Sequence, residues 1–241
     1  MAHVVDPALA GAALPDDLRL DGDAGHHLGR VRRLRGGEIV TVADGAGAWR
    51  CYVVASAAGG VLALAADGVV HREPVLTPGL TVACAVGKGH KPEAVVADLT
   101  ELGVDRIVLV ASARSVVRWD AAREASAAAR FARIAREAAG QCRRARLPEI
   151  VVGATLADLP AFGTVVVGAP DGTAPAALAD PGPDGWCAVV GAEGGLTADE
   201  IAGLLATPGA SSVAVGPHVL RTETAAVAVA AVLAGRRGVV G

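Results

Sequence analysis

The sequence predicts an α/β protein in which a small β-barrel precedes a larger domain built on a parallel sheet, and three observations predict it. A chain of 241 residues exceeds a typical single domain and has the length for a sizeable core. Up to about residue 72 it reads as short β-like runs, GEIVTVADG, AWRCYVVASAAGG and VLALAADGVV, separated by Gly pairs and Asp-Gly dipeptides as in hairpins. Beyond the Pro-containing stretch 72–79, which reads as a linker, near-continuous apolar strands alternate with helices, the pattern of a parallel sheet covered on both faces. The expected domains are therefore 1–72 and 73–241.

Within the second domain the expected order is strand LTVACAVG, helix PEAVVADLTELG, strand RIVLVAS and a long helix from about 121 to 146. Then come strands EIVVG, TVVVGAP and WCAVVGAEGG, helix TADEIAGLLAT, strand SSVAVG and the final helix TETAAVAVAAVLAGRR. In the long helix Ala127, Phe131, Ile134, Ala138 and Cys142 follow the helical period as one apolar stripe. Arg130, Arg133, Arg136, Arg143, Arg144 and Arg146 fall on the remaining arc, a guanidinium-rich face whose forked donors match phosphate oxygens.

Composition narrows the function. The hydrophobic fraction of 52% is mostly Ala and Val, and charges interrupt every long apolar run, so no segment is expected to span a bilayer. The N-terminus lacks a basic region followed by an apolar core, which leads to a cytoplasmic expectation. Cys51, Cys84, Cys142 and Cys187 are scattered without a C-x-x-C pair, as for inert packing thiols rather than a disulfide framework or a zinc site. The net charge of −3 conceals two basic blocks: HHLGRVRRLR, with Arg30, Arg32, Arg33 and Arg35 and no acid, and the Arg-rich region 113–148. Basic patches on an acidic body suit a polyanionic partner read locally.

Two turns carry the candidate chemistry. VVGAEGG, at 189–195, is a strand running into a Gly-rich turn, with Thr197 and Glu200 spaced as the capping box of the following helix. VGPHVLRTETA, at 215–225, closes the next strand and sets His218, Arg221 and Glu223 ahead of an apolar helix. Two such turns at adjacent strand ends form the kind of crevice where open α/β sheets bind ligands. Neither turn is a G-x-G-x-x-G fingerprint, and GKGHK is not a P-loop, so nucleotide hydrolysis is unsupported. For Thr222 and Glu223, helix capping competes with a ligand role.

The segments KGHKPEAVVADLTELGVDRIVLVASARSVVR, EAAGQCRRARLPEI, VVGAEGGLTADEI and VGPHVLRTETA, in this order and spacing, resemble the bacterial 16S rRNA (uracil-N3)-methyltransferase family of the SPOUT superfamily. The resemblance extends to the N-terminal HHLGRVRRLRGGEI, similar to a segment of the family's PUA-like barrel. It departs from the family pattern at Ala192, usually Pro, at His218, usually Arg, and near Asp98, usually Lys. The resemblance implies a trefoil-knotted methyltransferase domain behind the PUA-like barrel, S-adenosylmethionine as cofactor, a homodimer, no metal, and transfer of a methyl group to N3 of one uridine in the decoding region of the small-subunit rRNA. It implies cofactor contacts at Val190, Gly191, Glu193, Gly194, Gly195 and Leu196, at Val215, Gly216, Val219, Leu220 and Thr222, and at Val167 and Gly168. RNA contacts are expected at Arg30, Arg32, Arg33, Arg35, Lys88, Arg114, Arg130, Arg133, Arg136, Arg143 and Arg144.

Uridine N3 must lose its proton before it accepts a methyl group, and the charge that develops spreads to O2 and O4. A fixed guanidinium is the expected stabiliser, which singles out Arg221, oriented by Glu223. The proton acceptor stays open among Glu193, Glu223, His218 and solvent. Two alternatives from the same residues are a non-catalytic RNA-binding protein and a ribose 2′-O-methyltransferase.

Overall fold

The computed structural model describes residues 1–22, 34–85, 91–115 and 120–240, which form two compact units. The first comprises Met1–Pro74 and Arg136–Leu147, and the second comprises Val75–Ala135 and Pro148–Gly241.

The first unit is a six-stranded sheet of β1 (Ala2–Val5), β2 (Asp17–Leu20), β3 (Ile39–Ala43), β4 (Ala48–Ala58), β5 (Val61–Ala66) and β6 (His71–Arg72). The strands run in the order β1-β3-β4-β5-β2, with β6 on β4; β1 pairs with β3 in parallel and the other pairs are antiparallel. Strand β5 shows the cause most plainly. Leu62 and Leu64 point inward while Ala63 and Ala65 face out, the period-two pattern of a half-buried strand. With Leu18, Leu20, Val40, Val42, Tyr52 and Val54 they close one apolar core. Strands β1 and β2 were not expected from the sequence, since each has four residues and no sustained apolar run.

The second unit contains β7 (Val75–Thr77), β8 (Leu80–Ala85), α1 (Lys91–Glu101), β9 (Arg106–Val110), β10 (Glu149–Ala154), β11 (Thr164–Thr173), β12 (Trp186–Val190), α3 (Ala198–Leu205), β13 (Ser211–Val213), α4 (Thr222–Ala234) and β14 (Gly238–Val240), and shares α2 (Ala121–Cys142) with the first. Its main sheet is parallel throughout, in the order β10-β9-β8-β12-β11-β13. Alternation assigns the two faces. Leu80, Val82, Cys84, Ile107, Leu109, Trp186, Ala188 and Val190 join the core that includes residues of α1, α2 and α4. Ala83, Ala85, Val108, Val110, Val165, Val167, Cys187 and Val189 face the opposite core, with Leu159 of a short 3-10 segment and Leu204 of α3. Burial on both faces explains why these strands read as continuous apolar runs. It also pushes the Cys84 and Cys187 thiols up to about 12, so both are inert packing groups.

Two expectations need correction. The stretch 72–79 is not a plain linker: Val75–Thr77 forms β7, which pairs antiparallel with β14. The long helix ends at Cys142, which is exposed rather than on the buried stripe, and Arg143 turns the chain with a φ of 63°. Arg144 is consequently buried, at 9% exposure, and is no surface RNA contact. Arg146 also leaves the helical arc. Its guanidinium lies over Gly47, where a Cβ would come within 2.6 Å of it, and donates to the Glu73 and Ala46 carbonyls.

Arg237 fastens β14 beside β7. Its side chain is 1% exposed and donates to the carbonyls of Pro78, Gly103 and Leu76 and to the Asp105 carboxylate, which also accepts from the Leu80 N–H. Asp105 is partly exposed, so the three carbonyl bonds outweigh the ion pair. Arg237→Ala strands those acceptors and is expected to destabilise the protein by about 2–4 kcal/mol. In thermal unfolding that corresponds to a Tm lower by roughly 5–15 °C. An unchanged Tm would show that the clamp is dispensable.

Candidate active site

The site is built at the C-terminal ends of three neighbouring parallel strands. Register pairs Val167 with Val189 and Gly168 with Val213, so the ends of β12 at Val190 and of β13 at Val213 reach about the level of Gly168, where the register of β11 between them breaks; the two turns are thus one strand apart, not on adjacent strands as expected. The loops that leave these ends therefore rise side by side, the position where open parallel sheets bind ligands. Val167 and Val190 are buried in the two cores, which leaves their backbone, not their side chains, to face a ligand. Gly168 also serves packing, since a Cβ there would meet Val229 of α4 at 3.3 Å.

The first loop, Gly191–Leu196, is tightly folded. A Cβ on Gly191 would lie 2.9 Å from both the Gly195 carbonyl carbon and the Leu196 nitrogen, and the Gly195 N–H donates to the Ala192 carbonyl at 2.7 Å. Ala192 and Leu196 are buried as its anchors, while Glu193 and Gly194 are exposed. Helix α3 follows with the expected capping box: Thr197 Oγ1 accepts from the Glu200 N–H at 3.2 Å, and Glu200 Oε2 accepts from the Thr197 N–H at 2.7 Å.

Arg114 proves to be a support of this loop. Its guanidinium donates to the carbonyls of Gly194 at 2.7 Å and Leu196 at 3.3 Å, and its aliphatic stem lies against Gly194, where a Cβ would approach within 3.3 Å. Glu200 Oε1 accepts from the neighbouring Ala113 N–H at 2.7 Å, and Ser112 and Ser115 bond to each other at 3.0 Å. Burial pushes the Glu200 carboxyl up, yet the hydrogen bonds from Ala113 and Thr197, helped by the Arg114 charge, outweigh it and hold the group below its ordinary value. The segment after β9 is thus tied to both the loop and the helix it feeds. The Nη1 bonds to two loop carbonyls give Arg114, expected as an RNA contact, a positioning role at this loop. Arg114→Ala is expected to weaken ligand binding at this loop about tenfold, as for loss of a charge-assisted hydrogen bond, and calorimetric titration checks it.

The second loop runs from β13 to α4. Pro217, His218 and Val219 are exposed, Val219 at 83%, while Val215, Gly216 and Leu220 are half-buried. A Cβ on Gly216 would meet nothing within 4 Å, so this loop has open space where the first has none. Arg221, not Thr222, is the N-cap of α4. Its backbone is extended, its carbonyl accepts from the Ala225 N–H at 2.8 Å, and its exposed side chain makes no capping bond. Glu223 stands in the first turn, where a carboxylate complements the helix dipole. Among the described residues no ion pair joins Arg221 and Glu223. The orienting bridge expected from the sequence is therefore not formed.

The remaining basic residues are dispersed. Arg130 is exposed but paired with Glu93 at 3.2 Å, Arg133 and Arg143 are exposed, and Arg136 is half-buried. Arg35 lies at the start of the turn into β3, and its N–H donates to Glu38 at 2.5 Å. Arg30, Arg32, Arg33 and Lys88 lie outside the described residues. Among the described residues no cluster of His, Cys, Asp and Glu is placed to hold a metal ion, and no helix is long and apolar enough to cross a membrane.

Residues 76–234 match the model of an RNA methyltransferase domain, and residues 20–63 match that of an RNA methyltransferase PUA domain. The chain is 37% identical over 221 residues to ribosomal RNA small subunit methyltransferase E of Mycobacterium bovis, spanning 86% of this chain and 82% of the relative. The Bacillus subtilis protein of the same name is 27% identical over 230 residues, spanning 86% and 85%. A methyltransferase of Legionella pneumophila, solved in complex with its cofactor SAM, superposes with a TM-score of 0.85 at 25% identity over 98% of this chain and 97% of its own. The Neisseria gonorrhoeae small subunit methyltransferase E, solved with S-adenosyl methionine, superposes at 0.82 with 23% identity over 96% and 95%, and bears on the fold. The domain match takes in all three strand ends and both loops, and by it this chain belongs to the RNA methyltransferase family.

Proposed function

We propose that the protein methylates N3 of a uridine in the decoding region of 16S rRNA, using S-adenosylmethionine and acting as a cytoplasmic homodimer with its second domain threaded as a trefoil knot. One observation carries the reading: two glycine loops leave the ends of β12 and β13, the parallel strands on either side of β11, beside an exposed arginine whose backbone is fixed at a helix start.

The loops fit a flat adenosyl cofactor on their own geometry. Gly191 holds the first loop in a turn that no side chain would permit, and Gly216 leaves space in the second. The backbone of Val190–Leu196 and of Val215–Thr222, with Gly168 as the third wall, would hold the group. When bound, it supplies an electrophilic methyl on a sulfonium. The chain's own contribution is position and charge. Fixing the base in line with the methyl lowers the barrier by orientation, and N3 lies on the Watson–Crick edge, so the uridine must be unpaired or flipped out. Arg221 would then face the oxygens on which negative charge develops. Glu223 serves the start of α4 and is a candidate acceptor for the N3 proton.

Mass-spectrometric mapping of rRNA from a strain lacking the gene tests the reading. Loss of one 3-methyluridine is expected, whereas loss of a ribose methyl group would replace the N3 assignment. Arg30, Arg32 and Arg33 are proposed as phosphate contacts. Replacing all three is expected to flatten the log-affinity against log-salt slope by about two to three units, with cofactor binding unchanged; an unaltered slope removes them from the RNA path.

A further inference from the structure

We propose that the stacked pair Trp49 and His71 on the first unit is a platform that receives an unpaired base of the RNA substrate. Register places the two residues opposite each other on β4 and β6, and their rings lie 4.4 Å apart between centroids with planes 19° from parallel. Aromatic residues are only 2% of this chain, and Tyr52, Phe131 and Trp186 are fully buried. Trp49 differs from those three. It packs from the edge against a small core of Val5, Ala43, Ala139 and Ala145, while His71 lies on the ring and is itself exposed.

The indole is thereby packed on the protein interior, and the imidazole stacked on it is exposed. Val69 and Val70, which lead directly into His71, are exposed at 70% and 42%, and the next residue, Arg72, is exposed with no ion pair among the described residues. An imidazole that merely shielded the indole would not require an uncovered apolar approach beside it. A nucleobase uses both: it stacks on the ring and touches the valines with its edge or sugar, while Arg72, next to His71 on β6, points to the other face of the strand. Stacking of this kind accepts any base, because each has a π-face. The platform is formed before the RNA arrives, which reduces the ordering cost of binding.

The inference rests on RNA being the substrate, not on which atom is methylated. The test uses the full-length protein with two fluorescent probes, a mixed-sequence single-stranded RNA of about twelve nucleotides and an abasic ribose-phosphate strand of the same length. His71→Ala is expected to weaken the base-bearing probe about 5- to 100-fold, leave the abasic probe unchanged and keep the salt slope. His71→Phe, which restores a ring without a proton to exchange, is expected to recover most of the affinity. Unaltered RNA binding in His71→Ala, or equal weakening of both probes, would overturn the proposal. Normal binding of naked RNA combined with weaker binding of assembled small subunits would also overturn it, and would assign the patch to a protein contact. Methyl transfer is not read in this assay, so a failure of the uridine-N3 reading is separable from a failure here.

Discussion

Arg221→Ala is expected to lower methyl transfer to rRNA by about two to three orders of magnitude, the size associated with loss of a preorganised charge stabiliser, while fold and cofactor affinity stay as they were. The structure gives a reason to expect so clean a separation. As N-cap of α4, Arg221 contributes through its backbone, whose carbonyl accepts from the Ala225 N–H, and its side chain makes no capping bond. Truncating it removes a guanidinium from solvent rather than a brace from the fold, and a change of stability within about 0.5 kcal/mol is expected, as for a surface substitution. Single-turnover assays at saturating cofactor isolate the step. Arg221→Lys keeps the charge but not the planar fork and is expected to fall between the two. If the alanine variant lost only cofactor affinity and kept its single-turnover rate, Arg221 would be a binding residue and the charge would have to be met elsewhere.

The parallel sheet was legible because its strands are buried on both faces, so RIVLV and WCAVV read as strands whatever their neighbours. The capping box at Thr197 and Glu200 was legible for a similar reason, since both partners lie within one turn. What escaped was decided by contacts distant in sequence. Arg237 reads as the last residue of the final helix, yet its side chain is 1% exposed and closes β14 onto the Pro-containing stretch taken for a linker. Arg144 fits a helical arc on paper, but the helix stops at Cys142, and a left-handed residue at 143 sends the chain inward.

The candidate site divides along the same line. Its loops could be found from glycine spacing, because a turn is a local property. The support beneath them could not. Residues 114 and 194 meet only because β9 and β12 lie in one sheet, and no local pattern distinguishes an arginine that bonds two carbonyls from one that awaits a phosphate. Charge counting assigned Arg114 and Arg144 to RNA for want of that information, whereas hydrogen-bond geometry gives the first to a loop and burial gives the second to the interior.

Gly191→Ala is expected to abolish cofactor binding, and here the magnitude follows from which atoms are struck. The added methyl would lie 2.9 Å from the Gly195 carbonyl carbon and the Leu196 nitrogen, and 3.1 Å from the Gly195 Cα. All three are backbone, so no rotamer change relieves the contact and the turn itself must open. Overpacking of this kind costs roughly 1–3 kcal/mol, which alone corresponds to about 5- to 150-fold in affinity, and the opened turn also loses the carbonyl positions that Arg114 holds. Gly194→Ala is the internal contrast. Its methyl meets only the Arg114 stem, at 3.3 and 3.4 Å, a side chain able to shift, so binding should weaken by about tenfold or less. Gly216→Val separates a ligand clash from a folding defect. A Cβ there has open space in the protein, so the variant should keep its Tm and still lose binding if the second loop is a wall of the cofactor site. Titration calorimetry and thermal unfolding on the three variants read both quantities. Normal binding by Gly191→Ala, or by a stable Gly216→Val, would remove the corresponding loop from the site.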